Sequence, residues 1–223
     1  MTDQTMAGVC TDQVAAGLGA ELVAVVDRIT ALDTSRLSGQ GAAGLVSVLS
    51  EQTSRLSGLR LGALTTVTES GVWGSDGSRS PAAWLVRTAR ASKASAGADL
   101  KTSCGLAALP ATRAALAEGS VPLGHAEAMT RTCLRTPRLR QALTDPDCGE
   151  EFLLAHAHLG LDAYRVLLNT WAVRADPDAA DAAYRDDQAR HQLLLADTTD
   201  GTDVTGKLSP LGGETVRAAL LAQ

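Results

Sequence analysis

Between residues 80 and 131, residues that start and end helices follow one another so closely that only short helices fit. Ser80 and Pro81 form a helix start, since serine caps a first turn and proline suits the first helical position. Ser92 can cap a second helix, and the Gly119–Pro122 turn separates two more. The stretch therefore predicts a compact unit of several short helices.

The same stretch carries a local excess of positive charge. It contains six basic residues and three acids, in a chain whose formal net charge is −5. A basic strip on a compact helical unit is typical of proteins that bind polyanions such as nucleic acids. The basic residues are Arg87, Arg90, Lys93, Lys101, Arg113 and Arg131.

The composition favours a mainly α-helical fold. Of the 223 residues, 45% are hydrophobic but only 3% are aromatic, so the core must consist of Leu, Val and Ala. Such side chains favour closely packed helices, and alanine is a strong helix former. We expect a helical bundle with a helix-turn-helix-like centre and a small C-terminal β-hairpin plus helix.

Two apolar stripes predict a helical hairpin over residues 14–70, after a polar N-terminus that we expect to be disordered over residues 1–13. The first stripe recurs at alternating spacings of four and three residues, as on one face of a helix. The second predicts a long helix from Gly44 to about Ser70. The hairpin can pack within the chain or mediate coiled-coil-like dimerisation. The stripes are Leu18, Leu22, Val25, Ile29 and Leu32, then Leu45, Leu49, Leu56, Leu59, Ala63 and Val67.

The basic strip begins with the outline of a helix-turn-helix. A short helix over residues 82–89, a tight turn and a helix from Lys93 to about Leu109 fit this unit, whose second helix enters the major groove of DNA. The alternative is the solvated basic face of a structural bundle. The predicted DNA-binding residues are Ser92, Lys93 and Ser95 at the base edges, and Arg87, Arg90 and Lys101 at phosphates.

Four residues with chemically versatile side chains are predicted to have structural roles. Trp84 could stack on a base, but its neighbour Leu85 favours a place in the core. Cys104 and Cys133 lie in apolar helical patterns, which favour small buried side chains over metal ligands. His125 is predicted to be a structural histidine in the first turn of a helix.

The periodicity changes after an acidic stretch, residues 175–187, which predicts a solvated helix start and a linker. A strand over residues 191–196, a turn at Asp200 and Gly201 and a second strand to Leu208 predict a hairpin, with a final helix after it. The chain stops within this helical pattern, as expected of a fragment. The predicted segments are the disordered N-terminus (1–13), the helical hairpin (14–70), the helix-turn-helix-like core (71–175) and the linker, hairpin and final helix (176–223).

The sequence contains none of the common nucleotide-binding, zinc-protease or hydrolase motifs. His156 and His158 are two residues apart, so a helix would point them to different sides and they could not clasp one metal. We expect neither a cofactor nor catalysis in this chain alone. With no apolar run long enough to span a bilayer, we expect no membrane partner and a cytoplasmic location.

Three segments carry a resemblance to a known family. They are GVWGSDGSRSPAAWL from Gly71, LAALPATRAALAEG from Leu106, and the DG and GKLSP motifs after Thr199. They resemble the signatures of domain of unknown function 222, over about Leu18 to Ala222. The family occurs in actinobacteria and their mobile elements, and its members commonly carry an HNH endonuclease domain after this region. The resemblance implies that a divalent metal and nuclease activity belong to that following domain.

The central stretch, residues 80–129, also resembles the helix-turn-helix core of ParB-type partition proteins. There a serine-led recognition helix precedes the pattern "LP…G.iS.GHA", which reads Leu109-Pro110, Gly119–Pro122 and Leu123–Ala126 here. Pro122 departs from that family's serine, and the recognition helix is rich in Ala and Gly.

The two resemblances and the basic strip together predict a module that binds double-stranded DNA and positions it for a nuclease domain. The alternative is a protein-interaction scaffold, or a homodimer, that presents the nuclease without binding DNA. The acidic pI of about 5.3 favours this alternative. Because the basic strip lacks aromatic residues for base stacking, single-stranded nucleic acid is not expected to be the main ligand.

Overall fold

A computed structural model describes residues 2–179, 181, 192–208 and 210–222. The described chain is mainly helical, with a two-stranded antiparallel hairpin and a further helix near its C-terminus, which confirms the predicted fold class. The chain divides into two compact units, residues 1–50 and 51–223, and the boundary between them falls within the second helix. The helices are α1 (Thr2–Thr30), α2 (Gly39–Ser70), α3 (Pro81–Thr88), α4 (Lys93–Ala107), α5 (Pro110–Glu118), α6 (Leu123–Cys133), α7 (Pro137–Ala142), α8 (Glu150–Ala155), α9 (Leu161–Ala175) and α10 (Pro210–Leu221), and the strands are β1 (Gln192–Thr198) and β2 (Gly201–Lys207).

The first unit exposes its apolar side chains. α1 begins at Thr2, so a helix occupies the segment for which the sequence predicted disorder, residues 1–13. Polarity did not exclude a helix, because no proline interrupts this segment. The first apolar stripe lies on α1 as predicted, but it is open to solvent: Leu18 is 59% exposed and Leu22 is 42% exposed.

The second unit holds the buried core in three clusters of mainly aliphatic side chains. The largest surrounds Met129 of α6 and Tyr164 of α9, both fully buried. Another packs Leu61 of α2 against Leu116 of α5, and a third packs residues of α2 against Leu85 of α3. The core is built mostly of Leu and Ala, as the low aromatic content predicts.

Helix α4 approaches α6 closely because glycine occupies the contact. A methyl group on Gly105 would lie 2.5 Å from Cβ and 3.1 Å from Cα of Thr130. On a neighbouring side of α4, the buried Ser103 hydroxyl donates a hydrogen bond to the carbonyl oxygen of Leu61 at 2.8 Å. These contacts fix α4 against α2 and α6 and leave the outer face of its first turns uncovered.

Local capping explains where α3 and α4 begin. The Ser80 hydroxyl accepts a hydrogen bond from the amide of Ala83 at 3.1 Å, and the Ser92 hydroxyl accepts one from the amide of Ser95 at 3.0 Å. Both predicted caps are therefore confirmed. They place the connection between the two helices at residues 89–92.

The start of α5 is capped from a distance. Its N-cap residue is Leu109, whose side chain cannot accept a hydrogen bond. The buried carboxylate of Glu150, at the start of α8, instead accepts a hydrogen bond from the amide of Thr112. A residue 38 positions away thus satisfies a donor that would otherwise be buried without a partner.

The C-terminal hairpin is confirmed, with β1 and β2 paired so that Leu195 lies opposite Val204. The turn contains Asp200 and Gly201, as predicted, but the final helix begins at Pro210, before the predicted start. Most of the acidic stretch predicted as a linker lies outside the described residues.

The residues predicted to have structural roles differ in their burial. Cys133 is fully buried, and burial raises the pKa of its thiol. Cys104 is exposed, so its predicted burial is wrong: it follows the buried Ser103 and therefore points to another side of α4. Trp84 is half-buried and packs against the cluster that contains Leu85.

Candidate nucleic-acid interface

A groove of about 660 Å³ runs between α4 and α6. Three of its lining residues are cationic and one, Glu127, is anionic. We call it the basic groove. The lining residues are Lys93, Ala94, Gly97, Ala98, Lys101 and Thr102 from α4, and Glu127, Thr130, Arg131 and Leu134 from α6 and its end.

The helical period brings the two lysines to one side of α4. Lys93, Gly97 and Lys101 are spaced by four residues, so they follow one another along the same face of the helix. Buried residues of α4, such as Ala96 and Ser103, occupy a different face. The lysines therefore flank a floor without long side chains.

The three cations of the basic groove carry no ion pair within the described part of the chain. Lys93, Lys101 and Arg131 are all exposed, and neither an ion pair nor a hydrogen bond joins their side chains to a described residue. The carboxylate of Glu127 also lines the groove, one helical turn before Arg131. The groove thus offers three cations without ion pairs beside one carboxylate, an excess of positive charge that suits it to hold phosphates.

The other predicted DNA-binding residues differ in whether their side chains already bond to other residues of the chain. The Arg87 guanidinium donates a hydrogen bond to the carbonyl oxygen of Asp76 at 3.1 Å and forms an ion pair with the carboxylate of the same residue. Arg90 is exposed in the turn before α4, with a left-handed backbone (φ 51°) that is unusual for arginine. Ser92 uses its oxygen as the cap of α4, while Ser95 is exposed in the first turn.

The sequence did not predict that α6 contributes a cation to the site. Arg131 belonged to the basic strip but not to the predicted DNA-binding residues, because the helix-turn-helix outline ends with α4. The signal that could have found it is the Gly105 position, since glycine inside a helix often marks a close crossing of another element. The crossing at Thr130 brings the neighbouring Arg131 to the lysines.

Behind the groove, α6 rests on buried polar side chains. His125 is 5% exposed, and its Nε2 donates a hydrogen bond to the carbonyl oxygen of Leu159 at 2.8 Å, which confirms a structural histidine. Its ring lies 4.6 Å from that of Tyr164. Burial, reinforced by the nearby negative charge of Glu150, raises the pKa of Tyr164 to about 12.

A second group of basic residues, Arg135, Arg138 and Arg140, lies in and just before α7 and is partly neutralised. Arg138 forms an ion pair with Asp178 at 3.1 Å. Arg140 lies beside the Cys133 thiol, and its positive charge opposes the burial that raises the pKa of that thiol. This cluster therefore offers fewer free cations than the basic groove.

The described residues include no cluster of three or more His, Cys, Asp or Glu side chains able to hold a metal ion. The expectation that His156 and His158 point to different sides of a helix is wrong, because α8 ends at Ala155 and both residues lie in the turn after it, with their rings stacked 6.2 Å apart. Within the same residues, no helix has both the length and the apolar character needed to cross a bilayer.

Comparison with known families places this geometry in context. The profile of the family described as Domain of unknown function (DUF222) matches residues 43–223. The chain belongs to this family. The DUF222 match begins within α2 and includes every residue of the basic groove, but not α1. No curated protein and no solved structure matches the chain significantly.

Proposed function

We propose that this DUF222 chain binds double-stranded DNA through the basic groove, mainly by contacts to phosphates. The observation that carries the proposal is that Lys93, Lys101 and Arg131 line one groove and that none of them forms an ion pair with a described residue. Cations that no carboxylate neutralises release counterions from DNA on binding, which supplies most of the affinity of such interfaces.

The lining of the groove favours backbone contacts over base reading. Ala94, Gly97 and Ala98 carry no groups that can donate to or accept from base edges. No aromatic side chain lines the groove, so stacking on unpaired bases is not supported. A duplex held by its phosphates is the ligand that fits this chemistry.

The proposal extends to the parent protein. Since members of the family commonly carry a following HNH endonuclease domain, the groove would hold the duplex while that domain cuts it. In this arrangement the present chain contributes binding and position, and the following domain contributes the metal and the chemistry.

The test is fluorescence anisotropy with a random duplex of about 20 base pairs at about 50 and 200 mM salt. Three phosphate contacts predict a slope near −2.7 in log K against log salt, that is about 40-fold weaker binding at the higher salt. Lys93→Glu combined with Lys101→Glu is expected to weaken binding about 100-fold at low salt. The matched control combines Arg113→Glu with Arg165→Glu, which changes the same charge at exposed positions outside the groove.

The control double variant is expected to bind within about threefold of the unaltered chain, since long-range charge effects are screened by salt. An absence of binding at low salt would contradict DNA binding altogether. Equal losses in the two double variants would show that general charge, not the groove, drives the binding.

A second candidate function is the protein-interaction scaffold. It is favoured by the large apolar side chains that α1 exposes, including Val14 and Leu18, at 55% and 59%. Exposed apolar stripes of this kind are typical of surfaces that bind another protein. This candidate predicts association without DNA, and it is compatible with the first because no residue of α1 lines the basic groove.

A further inference from the structure

The apolar stripe on α1 has the spacing of a coiled-coil seam. Leu18, Leu22, Val25 and Ile29 recur at intervals of four, three and four residues, which gives two interleaved seven-residue repeats. The first three side chains are between 39% and 59% exposed, and Ile29 is half-buried. A narrow seam of this kind fits a second helix better than a sheet or a small molecule.

The composition of α1 weakens it as an isolated helix, which favours a partner. Gly17 and Gly19 lie inside the helix with open space around them, so no packing inside the chain explains their small size. Glycine weakens an isolated helix, and the branched side chains of Val25 and Val26 weaken it further. Burial of the seam against another helix would offset this weakness.

Two charges flank the seam at corresponding positions of the repeat. Glu21 and Arg28 are seven residues apart, both are exposed, and neither forms an ion pair with a described residue. In an antiparallel pair of α1 helices that places Leu22 opposite Val25, Glu21 of each copy would face Arg28 of the other. The two-fold symmetry of such a pair would form this ion pair twice.

The same charges disfavour the neighbouring arrangements. A shift of one repeat would bring Glu21 opposite Glu21, or Arg28 opposite Arg28. A parallel pair would place Val26 opposite Glu21, which leaves the glutamate without a partner, and its one attractive pair, Arg28 with Asp33, would involve a residue beyond the end of α1. In the favoured register, Asp12 of each copy would lie opposite Asp33 of the other, but this like-charged pair is at the end of the helices, and Asp33 is beyond the last residue of α1.

We propose that two copies of this chain associate through α1 as an antiparallel helix pair, with Leu22 opposite Val25 and Glu21 opposite Arg28. The interface lies outside the DUF222 match and does not depend on DNA. It would bring two basic grooves into one particle.

Sedimentation velocity of the full chain between about 1 and 100 µM tests the proposal. The expected species at high concentration is a dimer of the 23.0 kDa chain. Glu21→Lys and Arg28→Glu are each expected to weaken the dimer about tenfold, because each replaces two attractive pairs by repulsive ones. An equimolar mixture of the two variants is expected to recover the original affinity, since a mixed pair again opposes unlike charges.

Leu22→Asp is expected to abolish the dimer, because it places a charge at the centre of the seam in both copies. The matched control is Leu220→Asp, at an exposed leucine of α10, which is expected to leave the dimer intact. Circular dichroism confirms that each variant is folded before it is compared. A monomer at every concentration would overturn the proposal and point to another protein as the occupant of the seam. A dimer that survives Leu22→Asp would place the interface elsewhere, and a mixture that does not recover would overturn the antiparallel register.

Discussion

The second unit carries two grooves of nearly equal volume, one lined by three cations and a carboxylate, and one lined by two arginines, Arg55 and Arg113, within a larger apolar surface. The basic groove, about 660 Å³, lies between α4 and α6, and a groove of about 630 Å³ lies between α2 and α5. We call the second the apolar groove, because Leu56, Leu59 and several Gly and Ala residues form most of its surface. Leu59 is 72% exposed there, whereas the basic groove has lysines at the corresponding edges.

The comparison shows that the residues that form a groove differ from the residues that determine which ligand it can bind. In both places a glycine lets two helices approach: Gly58 lies against Leu116 beside the apolar groove, as Gly105 lies against Thr130 beside the basic groove. The volume is thus set by small residues at helix crossings. The chemistry is set by a few long side chains along the rim, such as Lys93 and Lys101 or Leu56 and Leu59, which can change without affecting the crossing.

The largest effect on stability is expected from the cap that holds the wall of the apolar groove. Glu150→Ala leaves the buried amide of Thr112 without its acceptor, at a cost of about 2–3 kcal/mol in the free energy of unfolding. Ser92→Ala removes the local cap of α4, on the side of the basic groove, at a cost of about 1 kcal/mol. Urea denaturation measures the free energy of unfolding of both variants. An equal loss in the two would mean that the remote cap stabilises the fold no more than the local cap does.

The support behind the basic groove is expected to weaken at high pH. Because burial raises the pKa of Tyr164 to about 12, from 10 in the unfolded chain, its neutral form stabilises the fold fully below pH 10. This contribution is lost as the pH rises from 10 to 12, up to about 2 kcal/mol. Tyr164→Phe is expected to remove this part of the pH dependence. Urea denaturation between pH 9 and 11.5 compares the two chains, and parallel curves would contradict the assignment.

The smallest effects are expected from the two glycines of α4. Gly105→Ala forces a methyl group against Thr130 and is expected to lower the free energy of unfolding by about 1–2 kcal/mol. Gly97→Ala meets open space on the floor of the basic groove and is expected to raise it by about 0.5–1 kcal/mol. Thermal denaturation checks that the two substitutions change the stability in opposite directions. A loss of stability for Gly97→Ala would show that the floor of the basic groove has no room for a methyl group.

Half of the candidate site follows from local rules and half does not. The Ser92 cap is visible in the sequence and the structure has it as predicted, and Lys93 and Lys101, eight residues apart, fall on one face of α4 by the helical period alone. Arg131 joins them only because α6 crosses α4. Arg87 carries the same charge as the lysines, but its guanidinium forms an ion pair with Asp76. No local sequence pattern predicts that contact.

The sequence by itself determined the mainly helical class of the fold, the helix starts capped by Ser80 and Ser92, and the hairpin turn at Asp200 and Gly201, because these depend on composition or on residues within a few positions of one another. The tertiary structure alone decided which charges are free, which wall each groove has, and that Glu150 caps α5. These depend on groups that lie tens of residues apart in the chain, and their energies exist only once the helices have packed.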